Sequence, residues 1–428
     1  MKLKTRLRSA AMRQLSSAAY LEKQRAKARK LRQRKGEPPV VHYFHQVDDP
    51  YSHLAVQKLD ELDDRYDLAF QPHLASKPGE DYRGSAAHFD HWARKDAASV
   101  AADYGTRFAP AINAPAGDAV DAANRVLSAH LDRDDFARAA VSIGEALWSD
   151  QRIAEPADAH DGLRAVAEGN DLRRALGHYQ GAMFYFEGEW FWGVDRIRLL
   201  ERRLIDEGFG SSETLCVPEP TPTETSGLDT SSVLLEYFPS LRSPYTAIGH
   251  ARVLDLIARS GVCVRVRPVM PMMMRGIPAP RAKQRYIITD AGREGRAHGA
   301  PFGPIVDPFG DPVKRAFALL PGAAAAGREM EYVTAYLNAA WFEGVDITTQ
   351  KGLRAVATNA GMDWAALEQA SRQENWEAIL EENLNTMLKE DLWGVPSFRV
   401  SGGNSDEAFA CWGQDRIWRV ENEIASRT

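Results

Sequence analysis

Two stretches of the 428-residue chain repeat one pattern: residues 47–62, VDDPYSHLAVQKLDEL, and residues 241–256, LRSPYTAIGHARVLDL. Each follows a short apolar run, VVHYF at 40–44 and VLLEYF at 233–238, and each places a capping residue, Asp49 or Ser243, directly before a proline. Asp and Ser are preferred helix N-caps and Pro is preferred at the first helical position, so both stretches predict a strand followed by a helix. Apolar residues then recur at helical spacing, at Leu54, Val56, Leu59 and Leu62 in one copy and Ile248, Val253, Leu254 and Ile257 in the other. A second strand follows, LAFQP ending before Pro72 and VRVRP ending before Pro268. Both halves therefore begin as β-α-β units.

The repeat continues downstream. Helical stretches run from residue 86 to about 172 in the first half, including Trp148, and include YLNAAWFEGVDI with Trp341 in the second. Each half closes on a hairpin and a last helix, FYFEGEWFWGVDRIRLLERRL at 184–204 and SFRVSGGNSDEAFACWGQDRIWRVENEI at 397–424, which share W-G-x-D-R-I. Between the halves the chain is rich in Pro, Thr and Ser, as a linker is. The expected organisation is a basic helical arm at 1–37, one domain at 38–206, a linker at 207–231 and a second domain at 232–428.

Charge is unevenly placed. The first 36 residues carry thirteen Lys/Arg against one acid, Glu22, a net +12 that leaves −18 for the remainder. This arm reads as a solvated helical extension, as a contact for nucleic acid or anionic lipid, or as a segment docked on the protein's own acidic surface. No aromatic residues interleave KQRAKARKLRQRK at 23–35, which weakens the nucleic-acid reading. No apolar run approaches the roughly 18 residues of a membrane span, and no apolar core follows the basic start, so a cytoplasmic protein is expected. Cys216, Cys263 and Cys411 are scattered and odd in number, suggesting neither a disulfide framework nor a zinc site. HFDH at 88–91 has ligand spacing but lacks a carboxylate or cysteine pattern, so no metal is expected. There is no phosphate-binding glycine loop and no G-x-S-x-G elbow.

A β-α-β start, a helical block and a β-β-α end describe an α/β protein with two thioredoxin-fold domains in tandem, each with a large helical insertion. The second half resembles the kappa-class glutathione transferases and 2-hydroxychromene-2-carboxylate isomerases of the DsbA-like thioredoxin group. Six motifs carry the resemblance in order: EYFPSLRSPYTAIG, K-x-x-Y-x-x-x-D-x-x-R at Lys283, Tyr286, Asp290 and Arg293, GAPFGP, A-x-W-F-E-G-V-D-I, WGVPSF and CWGQDRI. The first half resembles the same family more faintly, through DPYSHLA, ALW and FEGEWFWGVDRI.

The resemblance implies glutathione as cofactor, with Ser243 bonding its thiolate. It implies that the tripeptide pairs with Val395 before a cis Pro396, that Gln414 and Asp415 hold the γ-glutamyl end, and that Lys283 meets a carboxylate. Redox relatives carry C-x-x-C at the turn. Ser243-Pro244-Tyr245-Thr246 and Asp49-Pro50-Tyr51-Ser52 carry none, so dithiol chemistry is not expected. On the substrate side Tyr245, Met273 and Arg275 are the candidates, the methionines of VMPMMMRGIPAP serving either as core filler or as an adaptable apolar wall. The expected activity is a glutathione-dependent isomerisation or transfer on an aromatic-derived electrophilic carboxylate; the alternative is a non-catalytic glutathione- or peptide-binding module. In the first half Ala182 stands where Pro396 does, and Asp49 puts a carboxylate where a thiolate would sit, so that half reads as a non-catalytic partner. The related enzymes are homodimers, which implies an intramolecular pseudo-dimer of the two halves or a further homo-oligomer.

Overall fold

The computed structural model describes residues 1–154, 161–210 and 214–428; parts of the expected helical block and linker, at 155–160 and 211–213, lie outside the described residues. The chain divides into two compact units, one made of residues 21–220 and the other of residues 1–20 with 221–428. Each holds one four-stranded mixed sheet, and the architecture is α/β. Among the described residues no helix is long and apolar enough to cross a membrane.

In the first unit strands β1 (Val40–His45) and β2 (Ala69–Leu74) run parallel, and β1 pairs antiparallel with β3 (Met183–Phe186), which turns into β4 (Glu189–Trp192). The order across the sheet is β2-β1-β3-β4. The two-residue turn between β3 and β4 places both Glu187 and Gly188 at positive φ, the geometry whose twist matches the flanking strands. Pro72 does not end β2: it pairs with Tyr43 inside the strand. The reason is position, because β2 is an edge strand and a missing N–H there costs no ladder bond. The helix after β1 is broken as well, into Pro50–Val56 and Leu59–Arg65, while Leu54, Val56, Leu59 and Leu62 all point into the core as their spacing predicts.

The second unit repeats the arrangement with β5 (Val233–Phe238), β6 (Cys263–Val266), β7 (Ser397–Gly402) and β8 (Ser405–Trp412), in the order β6-β5-β7-β8. Here the helix after β5 is continuous over Pro244–Ser260 and stops at Gly261 in the left-handed region. A helical block between β6 and β7 packs around the buried Trp341, Tyr332, Tyr336 and Phe317. Trp341 reaches back to the turn after β5, its Nε1 donating to the Leu241 carbonyl at 3.3 Å. That bond fixes the loop two residues before Ser243.

The basic arm forms two helices, Leu3–Ser16 and Ala18–Lys35, and four of its arginines, Arg8, Arg25, Arg29 and Arg32, pair with carboxylates. In the first unit Arg25 pairs with Glu189 at 2.7 Å, Arg29 with Glu187 at 3.1 Å and Glu207 at 2.6 Å, and Arg32 with Glu187 at 2.6 Å. In the second unit Arg8 lies 3.0 Å from the fully buried Asp307, and the Asp307 amide donates to Ser9 Oγ at 2.9 Å. Of the three readings of the arm, docking on the protein's own carboxylates is what the fold contains, because Glu187, Glu189 and Asp307 are buried and a buried charge requires a partner.

Candidate functional site

The second unit concentrates the expected residues around one segment, Trp393 to Pro396. Ser243 caps the helix Pro244–Ser260 from extended backbone (φ −107°, ψ 121°), with Pro244 at the first helical position. Its Oγ accepts from the Thr246 amide at 3.1 Å and donates to the Val395 carbonyl at 3.3 Å. Thr246 is in turn fixed from behind, its Oγ1 accepting from the Ser240 amide at 3.3 Å. The Val395–Pro396 peptide is cis. The Pro396 carbonyl accepts from the Gly413 amide at 2.9 Å, which brings the W-G-Q-D-R-I hairpin end alongside.

The cationic candidates face the same segment. Arg275 donates through Nη2 to the Trp393 carbonyl at 2.7 Å, and Lys283 holds its ammonium 5.7 Å above the Trp393 ring. Arg275 Nε is buried without a hydrogen-bond partner, and no carboxylate pairs with this guanidinium among the described residues. Burial lowers its pKa to about 10, the response of a cation short of counter-charge. Met273 Sδ lies 3.9 Å from Nη1 of Arg242, the residue before Ser243 in the chain.

Two expected residues face elsewhere. Tyr245 gives its hydroxyl proton to Asp290 Oδ2 at 2.8 Å, and Asp290 also holds Arg293, so this tyrosine braces two helices. Gln414 is fully buried; its amide contacts Glu294 at 3.3 Å and also Arg252 and Asp415. Asp415 beside it is half-buried in the turn Gln414–Arg416. Sequence reasoning passed over Arg242, adjacent to Ser243, whose Nε donates to Asp307 Oδ1 at 2.7 Å and whose guanidinium stacks on Phe309 at 4.7 Å. Only its place next to the cap could have signalled it.

The same frame recurs in the first unit with different chemistry. Asp49 caps the short helix Pro50–Val56, its Oδ2 accepting from Ser52 N at 3.0 Å and Ser52 Oγ at 2.8 Å. Tyr51 donates to Asp96 at 2.7 Å, as Tyr245 does to Asp290. Ala182 takes a left-handed φ of 53° and its N–H, which a proline would lack, donates to Ser52 Oγ at 2.8 Å. The Ala182 carbonyl accepts from Gly193 at 2.8 Å, matching the bond between Pro396 and Gly413. Among the described residues no three His, Cys, Asp or Glu side chains converge as a metal site.

Comparison with known proteins identifies one part of the chain. The family model for the DSBA-like thioredoxin domain matches residues 234–425. A solved 2-hydroxychromene-2-carboxylate isomerase is 18% identical over 45% of this chain and 95% of its own, with a TM-score of 0.37. The cytosolic disulfide reductase DsbM from Pseudomonas aeruginosa is 19% identical over 45% of this chain and 98% of its own, with a TM-score of 0.35. No curated protein matches the chain. The strand order, the capped helix and the β-β-α close described above are those of the matched segment: residues 234–425 are a DSBA-like thioredoxin domain.

Proposed function

We propose that the second unit binds glutathione and uses its thiolate, held at Ser243, to isomerise or conjugate an aromatic-derived electrophilic carboxylate. The observation that carries this reading is the position of Ser243 Oγ, at the N-terminus of a 17-residue helix and 3.3 Å from the Val395 carbonyl. Unpaired amides and the positive end of such a helix stabilise an anion, and together with a hydroxyl donor they lower a thiol pKa from about 8.5 toward neutrality. Ser243 has one proton to give. On binding, the bond to Val395 is exchanged for one to the thiolate, which frees the carbonyl to accept from the tripeptide's own amide.

The chemistry then balances without a further reagent. The thiolate adds to an electron-poor double bond, forming C–S while the π pair moves onto the conjugated acceptor. Rotation about the new single bond and return of the pair with loss of thiolate gives the isomer, and protonation of the adduct gives transfer. The half-buried Arg275, short of an anion, supports a carboxylate on the substrate. Asp415 and Lys283 are proposed for the charged ends of the tripeptide.

Gln414 favours a second reading, a glutathione- or peptide-binding module without turnover, because its amide is already spent on Glu294 and Arg252. We also propose that the first unit is a degenerate thioredoxin-like domain, on the strength of the shared strand order and the matched Tyr51–Asp96 bond. A reducing, cytoplasmic setting goes with glutathione and three free thiols.

Calorimetric titration with glutathione tests the binding step. Heat is expected for the intact chain, with affinity about tenfold weaker in Asp415→Ala; no heat for the intact chain would remove both readings. A spectroscopic assay with an ortho-hydroxybenzylidene pyruvate then separates them. Turnover about 10²-fold slower in Ser243→Ala, the usual loss of one anion-stabilising donor, supports the enzyme. Equal rates would take Ser243 out of the mechanism, and no turnover with glutathione bound would favour the module.

A further inference from the structure

The glutathione reading leaves unused an open cleft in the first unit, at the Asp49 turn. Its walls include Gln46, Asp49, Lys77, Arg94, Trp148 and Gln180. Three of these hold buried groups without the partner their chemistry calls for. Gln46 Oε1 accepts no hydrogen bond, its Nε2 being given to Asp48 at 3.0 Å. Trp148 Nε1 donates to nothing. Asp49 is withdrawn from water with bonds only from its own turn, and the neighbouring charge acting on it, Asp48, has the same sign. Burying polar and charged groups in this condition costs free energy that a ligand can return.

The positions narrow the ligand. Gln46 Oε1 and Asp49 Oδ2 lie 2.8 and 3.3 Å from the point where a β-carbon on Gly181 would stand, with Gln46 Cβ at 2.7 Å, so the glycine lets the chain pass close to two acceptors that lie near one another. Around them most charges are already matched: Asp90 pairs with Lys77 and with Arg83, each at 2.8 Å, and Asp48 lies 3.9 Å from Lys77. Asp49 and Arg94 are left as one negative and one positive group without an ion pair among the described residues. An amide oxygen near one unpaired carboxylate suits an ammonium rather than a metal ion, and an indole N–H and a guanidinium lining the same cleft suit a carboxylate.

We propose that this cleft binds a small zwitterion, an amino acid or short peptide with a free amino group, its ammonium between Asp49 and Gln46 and its carboxylate on Trp148 Nε1 and Arg94. Burial raises the Asp49 carboxyl to about 7, as expected of a carboxylate waiting for a counter-ion. The inference is independent of glutathione chemistry, because Ser243 belongs to the other unit.

The test is calorimetric titration of the full chain with the twenty L-amino acids and with triglycine, each beside its N-acetyl and C-amide forms. At least one free zwitterion is expected to bind, with affinity reduced about tenfold or more by N-acetylation, as loss of a charged hydrogen bond requires. Asp49→Asn, which keeps the helix cap, and Trp148→Phe, which removes an N–H the fold does not use, should each weaken binding comparably. Ser243→Ala should leave it unchanged. Absence of binding by every compound, equal binding of the acetylated form, or parent-like affinity in Asp49→Asn would overturn the proposal. So would loss of binding in Ser243→Ala alone, which would place the ligand in the second unit.

Discussion

At the scale of single residues, Asp49 and Ser243 perform the same backbone task under different electrostatic costs. Each accepts the third amide of its helix, at 3.0 and 3.1 Å. Losing that bond in Ser243→Ala is expected to cost about 0.5–2 kcal/mol, read as a lower midpoint in urea. Asp49 differs because its carboxyl, ordinarily near 3.8, is raised to about 7, first by burial, against the opposing bonds from Ser52. The folded chain therefore holds this proton over a pH range where the unfolded chain has released it. The side chain's contribution to stability is most favourable below about 4 and falls as pH rises toward 7, by at most about 1.4 kcal/mol per unit. Asp49→Asn keeps an acceptor for Ser52 and removes the titration. Its melting temperature relative to the parent is expected to be higher at pH 8 than at pH 5; a difference independent of pH would mean that Asp49 is not desolvated.

At the scale of elements, the features legible in the sequence were local ones. Both β-α-β starts, the caps at Asp49 and Ser243 and the W-G-x-D-R-I ends depend on residues a few positions apart, and the structure contains them all, with the first helix broken after Val56 and β2 running on through Pro72. What periodicity could not give were contacts closed over long separations. Pro72 survives inside β2 only because that strand lies at an edge, and the commitment of Gln414 depends on Glu294 and Arg252 far upstream. The cleft at Asp49 was hidden because an N-cap already accounts for an aspartate before a proline; the unsatisfied Gln46 and Trp148 have no sequence signature. The arm is the clearest case, because its composition describes a solvated helix while its docking is decided by Gly292. A β-carbon there would stand 2.4 Å from the Ser16 carbonyl oxygen, so the helix Leu3–Ser16 approaches the helix Arg281–Ala297 more closely than any side chain allows. Gly292→Ala should cost about 1–3 kcal/mol through this overlap, outweighing the roughly 1 kcal/mol that Ala gains over Gly in a helix. Hydrogen exchange should then rise across residues 3–16 while β5 and β7 stay protected. Unchanged exchange in the arm would show that Gly292 does not set its docking.

At the scale of the whole molecule, the two units differ in the number of buried neutral histidines. In the first, burial lowers His45 and His73 to about 3 and His53 to about 4, and it lowers His42, which shares a 3.0 Å contact with His73. In the second, burial lowers His250 to about 4. An unfolded histidine takes its proton near 6.5, so the stability each neutral form provides is present above that pH. It is lost as pH falls from 6.5 toward the folded value, at about 1.4 kcal/mol per unit for each group. Carboxyls with raised values act in the opposite direction: Asp49 offsets part of the loss in the first unit, and Glu329, raised by burial to about 7, offsets most of the His250 effect in the second. Between pH 6.5 and 4.5 the first unit should therefore lose more stability than the second. Hydrogen exchange by mass spectrometry, corrected for intrinsic rates, should show peptides of β1 and β3 losing protection at a pH where β5 and β7 retain it. Replacing His42 and His73 together by glutamine should narrow the difference between the units; equal loss in both sheets of the parent, or earlier loss in β5, would mean that these histidines do not govern the acid response.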